Sequence, residues 1–187
     1  WPRAELVKLG RCAASITVLD HHKTAQQDLA EPIPGVQCKF DMEKSGARLA
    51  WEHFFGDQNI PWLVRYVEDR DMFWHHIIDS KAVNAFIRSQ PFDFAVWDTL
   101  PDMANSSMRW QRLLDEGKAI LREQASIVKT HVERAIETDI AGFKVPCVNA
   151  TCYVSEIAGE LAGGWPFAAV YFDGKAGERI YSLRSSE

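Results

Sequence analysis

Hydrophobic positions fall into two alternating patterns over the first seventy or so residues. Residues 2–10 place Pro2 where a first helical turn tolerates it, Leu6 and Leu9 on one side, and Gly10 as a stop; this predicts a short helix. Residues 15–20, SITVLD, form a continuous β-branched and aliphatic run, the pattern of a strand buried on both faces in a parallel sheet. Residues 36–41, VQCKFD, alternate Val36, Cys38 and Phe40 as a second strand would. In residues 45–56, Ser45 is an N-cap, Leu49, Ala50 and Phe54 form an apolar face, and Gly56 is a stop. Residues 59–73 repeat that logic, with Pro61 at a helix start and Leu63, Val64 and Val67 facing inward. Alternating strands and helices predict an α/β fold with an open, mostly parallel sheet.

From Ser107 to about Ile136 one amphipathic stripe (Leu113, Leu114, Gly117, Ile120, Leu121, Ile127, Val128, Val132, Ala135, Ile136) predicts a single helix, about 45 Å long, read as a connector between two lobes. Beyond Gly142, FKVPCVNA, VSEIAGELAGG, PFAAVYFDG and RIYSLRS read as strand, helix, strand, strand. The organisation expected is an α/β domain over residues 1–105, a helical linker over 106–139 and a smaller α/β domain over 140–187. No internal repeat or low-complexity stretch interrupts it.

Composition narrows the function classes. With 187 residues, 47% of them hydrophobic, the chain can bury one sizeable core, or one core and a smaller second one. A net charge of −5 argues against a broad electrostatic grip on long nucleic acid, which needs clustered Lys and Arg. No apolar run approaches the roughly 20 residues of a membrane span, so no membrane partner is expected. Four scattered cysteines, Cys12, Cys38, Cys147 and Cys152, read as buried thiols of a reducing cytoplasm. The chain opens on Trp1-Pro2 without Met and closes on YSLRSSE like a strand cut short, so a fragment at both ends is expected.

Candidate chemistry sits at Asp20-His21-His22. In an open parallel sheet, ligands collect at the carboxyl ends of strands, and imidazole nitrogen beside carboxylate oxygen suits Mn²⁺ and related metals. The competing reading makes Asp20 a helix cap and the histidines merely exposed. A second pair, His75-His76 in MFWHHII, lacks the strand-end aspartate and reads as structural or peripheral. Phe73, Trp74, Phe92 and Trp97 are flat enough to stack a base, but are more simply read as core and lobe interface.

VLDHHKTA resembles the signature of the DHH phosphoesterase family. The likeness continues through SGARLAWEHFF, similar to that family's Ser-starting helix, and LVRYVEDRDMF, similar to its later acidic motif. VNATCYVSEIAGELA and IYSLRS are similar to the DHHA1 accessory domain. These segments in the right order, nearest in character to the exopolyphosphatase-related and nano-RNase-like branch, imply a partial DHH domain over 1–105 and a partial DHHA1-like domain over 140–187.

The resemblance implies a Mn²⁺-dependent hydrolase holding two ions in the intact protein. It acts on a phosphoester or phosphoanhydride bond of a small nucleotide, short oligonucleotide or polyphosphate. His21 would be a metal ligand, His22 would contact the scissile phosphate, and Asp20 would be an orienting carboxylate. Asp69 occupies the place of the late metal-binding aspartate, with Asp71 as the other choice. Ser45 would bind phosphate through the helix start it caps, or serve only as that cap. Arg184 resembles a substrate-contacting arginine, against the reading of an inconsequential surface arginine.

The family's aspartate-rich first motif would precede Trp1, and its glycine-rich closing segment would follow Glu187, so part of the metal site is expected to lie outside this chain. Two further readings stand beside the hydrolase: an inactive nucleotide-binding or regulatory module on the same scaffold, and a structural zinc protein using the histidines with Cys147 and Cys152. A homodimer through the long helix is also compatible with the pattern.

Overall fold

The chain divides at Lys118 into two units, and the computed structural model describes residues 2–185. Its class is mixed α/β. In the first unit, helix α1 (Arg3–Leu9) leads into strand β1 (Ile16–Asp20), helix α2 (Lys23–Asp28) and strand β2 (Val36–Phe40). The two strands run parallel, with Ile16 opposite Val36 and Asp20 opposite Phe40. Leu6, Leu29 and Ile33 are buried beneath Ile16, Val18, Val36 and Phe40.

β1 is not buried on both faces, contrary to its apolar run. Thr17 is exposed and its other four residues are half-buried. Among the described residues β1 has β2 as its strand neighbour, and a two-stranded ribbon has too little width to bury both its faces.

Helices α3 (Gly46–Phe55) and α4 (Trp62–Asp71) follow. Ser45 Oγ accepts from the Arg48 N–H at 3.1 Å, closing the predicted N-cap. Leu49 is fully buried, but Phe54 is 72% exposed, so the inward face of α3 is narrower than its apolar positions. On α4 the buried residues are Tyr66, Glu68 and Asp69 rather than Leu63, Val64 and Val67. Two acidic side chains therefore occupy the inner face, which hydropathy alone assigns to solvent.

The sequence pattern assigns no element between 74 and 106, yet α5 (Ser80–Ser89) supplies much of the unit's main core. Val83, Phe86 and Ile87 pack with Tyr66, Leu100, Leu113 and Leu114. Every residue from Ala82 to Ile87 is buried, while Lys81 and Arg88 stay exposed on one face, a helical spacing that periodicity could have found. A short helix, α6 (Phe94–Trp97), and a 3₁₀ turn (Leu100–Asn105) lead to α7 (Ser107–Val132). Gly117 lets α7 approach α5 so closely that a Cβ there would drive into the Ala82 carbonyl.

In the second unit, β3 (Ile136–Ile140), β4 (Phe143–Asn149), β5 (Ala168–Asp173) and β6 (Arg179–Arg184) form one sheet in sequence order. Its junctions are antiparallel, parallel and antiparallel. The crossover between β4 and β5 carries α8 (Val154–Leu161). Ile157, Ala158 and Leu161 of α8 pack on Val148, Ala168 and Val170, with Val128 and Val132 alongside. Helix α7 thus ends before Ile136, which instead pairs with Cys147 as the first residue of β3. Ladder hydrogen bonds to β4 outweigh one more helical turn.

Three of the four cysteines are not buried: Cys12, Cys38 and Cys152 are exposed, and only Cys147 is enclosed. Cys12 and Cys152 lie in the turns after α1 and before α8, and Cys38 lies on the narrow β1–β2 ribbon, so neighbouring apolar residues do not cover them. Burial pushes the Cys147 thiol above its ordinary range, against a smaller opposing effect from Thr138. Among the described residues no helix is long and apolar enough to cross a membrane.

Candidate metal centre

Asp20 is the last residue of β1, so the backbone leaves the sheet at its carboxyl end carrying His21 and His22. Asp20 Oδ1 accepts the N–H of His21 at 2.7 Å, the N–H of His22 at 3.1 Å and the His22 ring Nδ1 at 2.7 Å. One oxygen thereby fixes both the turn and one imidazole. Burial raises the Asp20 carboxyl, but hydrogen bonds from the His22 ring and the two backbone N–H groups outweigh it and hold the group below its ordinary range. An ionised Asp20 only accepts, so Nδ1 of His22 carries the proton and its Nε2 is left for a ligand. Asp20 does not cap α2: His22 is the N-cap residue, without a side-chain cap bond.

The candidate ligand atoms of Asp20, His21 and His22 all lie within 4.8 Å of one another. His21 is mostly enclosed and His22 mostly open, with 14% and 67% of their side chains exposed. From the end of α4, Asp71 Oδ2 comes to 3.6 Å of His21 Nε2. Two donors each about 2.1 Å from one ion sit no more than about 4.2 Å apart, so this pair is spaced to share a cation. A mixed N and O donor set is one that divalent first-row cations in general accept.

Asp69, the other candidate carboxylate, also organises the loop that follows α4. It is 2% exposed, and its Oδ1 accepts the N–H groups of His76 at 2.8 Å and Ile77 at 3.3 Å. Its backbone carbonyl accepts those of Trp74 at 3.0 Å and His75 at 3.2 Å. Its Oδ2 is buried without a hydrogen-bond partner.

Ser45 is fully buried. Its hydroxyl is engaged in the α3 cap, and its own N–H donates to Glu68 Oε1 at 3.3 Å. Glu68, which the sequence reading passed over, also faces Arg48 at 3.5 Å. Arg48 continues to Glu52 at 2.6 Å, and Lys44 reaches Glu52 at 2.9 Å and Asp41 at 3.5 Å. The chain of charges braces α3 against α4 and against Asp41, whose N–H donates to the Asp20 carbonyl. No sequence signal marks Glu68, because a lone glutamate on a helix ordinarily reads as solvated.

In the second unit, Arg184 Nη1 donates to the Ser155 carbonyl at 3.3 Å. Its side chain lies over Gly159, where an added Cβ would stand 3.6 Å from Nε. Among the described residues, groups spaced for a metal comprise Asp20, His21 and His22 and include neither Cys147 nor Cys152.

The chain is 28% identical over 193 residues to "Uncharacterized protein R106" of Acanthamoeba polyphaga mimivirus, an alignment covering 97% of this chain and 44% of that protein. The chain therefore spans less than half the length of the relative it matches. No protein-family model matches the chain, and no solved structure does.

Proposed function

We propose that the chain carries part of the catalytic centre of a DHH-type, Mn²⁺-dependent phosphoesterase. Its substrate class is a small nucleotide, short oligonucleotide or polyphosphate. The observation that carries this reading is the 3.6 Å approach of Asp71 to His21 beside an imidazole oriented by Asp20. Such a set is a means of holding a cation and meeting a phosphoryl group at one strand tip.

In this reading His21 and Asp71 hold metal, and Asp69 shapes the turn that follows α4. Bound divalent ions supply Lewis-acid stabilisation of phosphoryl oxygens and a nucleophile available at neutral pH. The chain's own work is positional. Asp20 keeps the proton on His22 Nδ1 and so fixes the direction of Nε2, the ring atom proposed to face the scissile phosphate. The brace from Glu68 through Arg48 to Glu52 holds α3 and α4 in register, which sets where Asp71 stands. Arg184, held over α8 in the second unit, carries the guanidinium proposed as a phosphate contact.

The test is phosphate or nitrophenol release from a dinucleotide, tripolyphosphate and bis(p-nitrophenyl) phosphate, with and without Mn²⁺. His21→Ala and Asp71→Asn are expected to lower the Mn²⁺-dependent rate at least about a hundredfold with unchanged melting. Wild-type rates in both variants overturn the reading. Nucleotide binding without hydrolysis by the wild type favours the inactive binding module instead.

A further inference from the structure

Immediately beyond Asp71 the backbone runs through three non-glycine residues at positive φ: Phe73 at 57°, His75 at 51° and Asp79 at 58°. Each such residue is unfavourable for a side chain bearing a Cβ, and the segment keeps the shape only because other contacts impose it. Asp69 imposes it here, since its carbonyl and its carboxylate together take four successive N–H groups, from Trp74 to Ile77. The result is a pinned loop with little apolar burial of its own. Phe73 is 72% exposed, Trp74 43% and Ile78 84%, while His75 and His76 are also exposed.

Within it the Trp74 and His76 rings lie nearly parallel, 13° apart in plane with centroids 6.4 Å apart. Core packing does not account for an indole held in this way. Trp74 is three residues from Asp71, hence at most about 11 Å away between Cα atoms, and so within a nucleotide's reach of the proposed phosphate-binding strand tip.

We propose that Trp74 and His76 form a stacking subsite for the planar ring of a nucleobase whose phosphate lies at His21, His22 and Asp71. The inference rests on the phosphoesterase reading for its phosphate end and narrows it, favouring base-bearing substrates over inorganic polyphosphate. Base–aromatic stacking is tolerant of base identity because every base offers a π-face. The subsite therefore takes purine and pyrimidine nucleotides alike.

Equilibrium binding of adenosine 5′-monophosphate and of thymidine 5′-monophosphate to the protein tests it, with inorganic phosphate as the base-free probe. Trp74→Ala is expected to weaken both nucleotides about tenfold or more, His76→Ala to weaken them less, and Trp74→Phe to restore binding to within about threefold. Melting temperatures check that the loop variants fold. Nucleotide binding by Trp74→Ala equal to wild type overturns the subsite, as does equal loss in Trp74→Phe and Trp74→Ala, or wild-type protein that binds phosphate as tightly as either nucleotide.

Hydrolysis measured on the same preparations separates this from the parent reading. Trp74-dependent nucleotide binding with no turnover sinks the phosphoesterase and keeps the subsite. His21-dependent turnover with Trp74-independent binding does the reverse.

Discussion

The first unit contains the dipeptide His-His twice, and the two copies are organised in opposite ways. At the strand tip, Asp20 Oδ1 bonds the His22 ring as well as two N–H groups, so the imidazole itself is aimed. After α4, Asp69 Oδ1 bonds only backbone N–H groups, of His76 and Ile77, so the His76 ring lies beside Trp74 and His75 is exposed. Each pair depends on one aspartate, but the first aspartate positions a ring and the second positions a main chain. A ring fixed at Nδ1 offers a defined Nε2 for chemistry, while a loop fixed through its N–H groups offers flat surfaces.

The sharpest way to break the contrast is Asp69→Ala. It strips a buried acceptor from two N–H groups, each costing about 1–3 kcal/mol if left unpaired. A loss of about 2–6 kcal/mol in denaturant unfolding is expected, with Asp69→Asn keeping most of the stability because its amide oxygen still accepts. A loss below about 1 kcal/mol in the alanine variant would mean the loop does not need its pin.

Next comes Asp20→Ala, which removes the orienting partner of His22. Mn²⁺ affinity, read from free ion by electron paramagnetic resonance, is expected to fall about ten- to a hundredfold, with a smaller effect on stability than at Asp69. Equal affinity in the variant would remove the strand-tip aspartate from the metal site.

A milder effect is expected at Glu52, in the brace behind both sites. Hydrogen bonds from Lys44 and Arg48 hold its carboxyl below the usual range, against the opposing push of burial. With its folded value depressed, the group adds stability above the unfolded value of about 4.3, and that share is lost as pH falls through the folded value. Glu52→Gln should therefore lower stability at pH 7 and flatten the acid side of the pH profile. An unchanged profile between pH 3 and pH 7 removes the brace from the account.

The smallest change is His75→Gly. Glycine adopts the 51° φ without a Cβ conflict, so stability should move by no more than about 0.5 kcal/mol and Mn²⁺ affinity not at all. The same replacement at His21 removes a proposed ligand and is expected to lower that affinity.

The cap at Ser45, the strand ending at Asp20 and the stops at Gly10 and Gly56 could be read directly from sequence, because each depends on a residue's own conformational preference or on a neighbour three or four positions away. The candidate cluster at Asp20, His21 and His22 was legible for the same reason. Other features came from contacts distant in sequence. Glu68 meets Ser45 across 23 positions, and Asp71 meets His21 across fifty. Three cysteines with apolar neighbours lie at turns or on a two-stranded ribbon, where those neighbours leave them open.

What the sequence determined by itself was therefore local: where helices begin, where a strand ends, and which side chains stand at its tip. Only the tertiary structure decided which carboxylate faces His21 and which one serves the loop. Asp69 and Asp71 are two residues apart on one helix, about 200° around its axis. Which of them turns inward to the 73–77 loop and which toward the strand tip is settled by the packing of α4 against α3 and α5. No preference of an aspartate for one face of a helix could decide it.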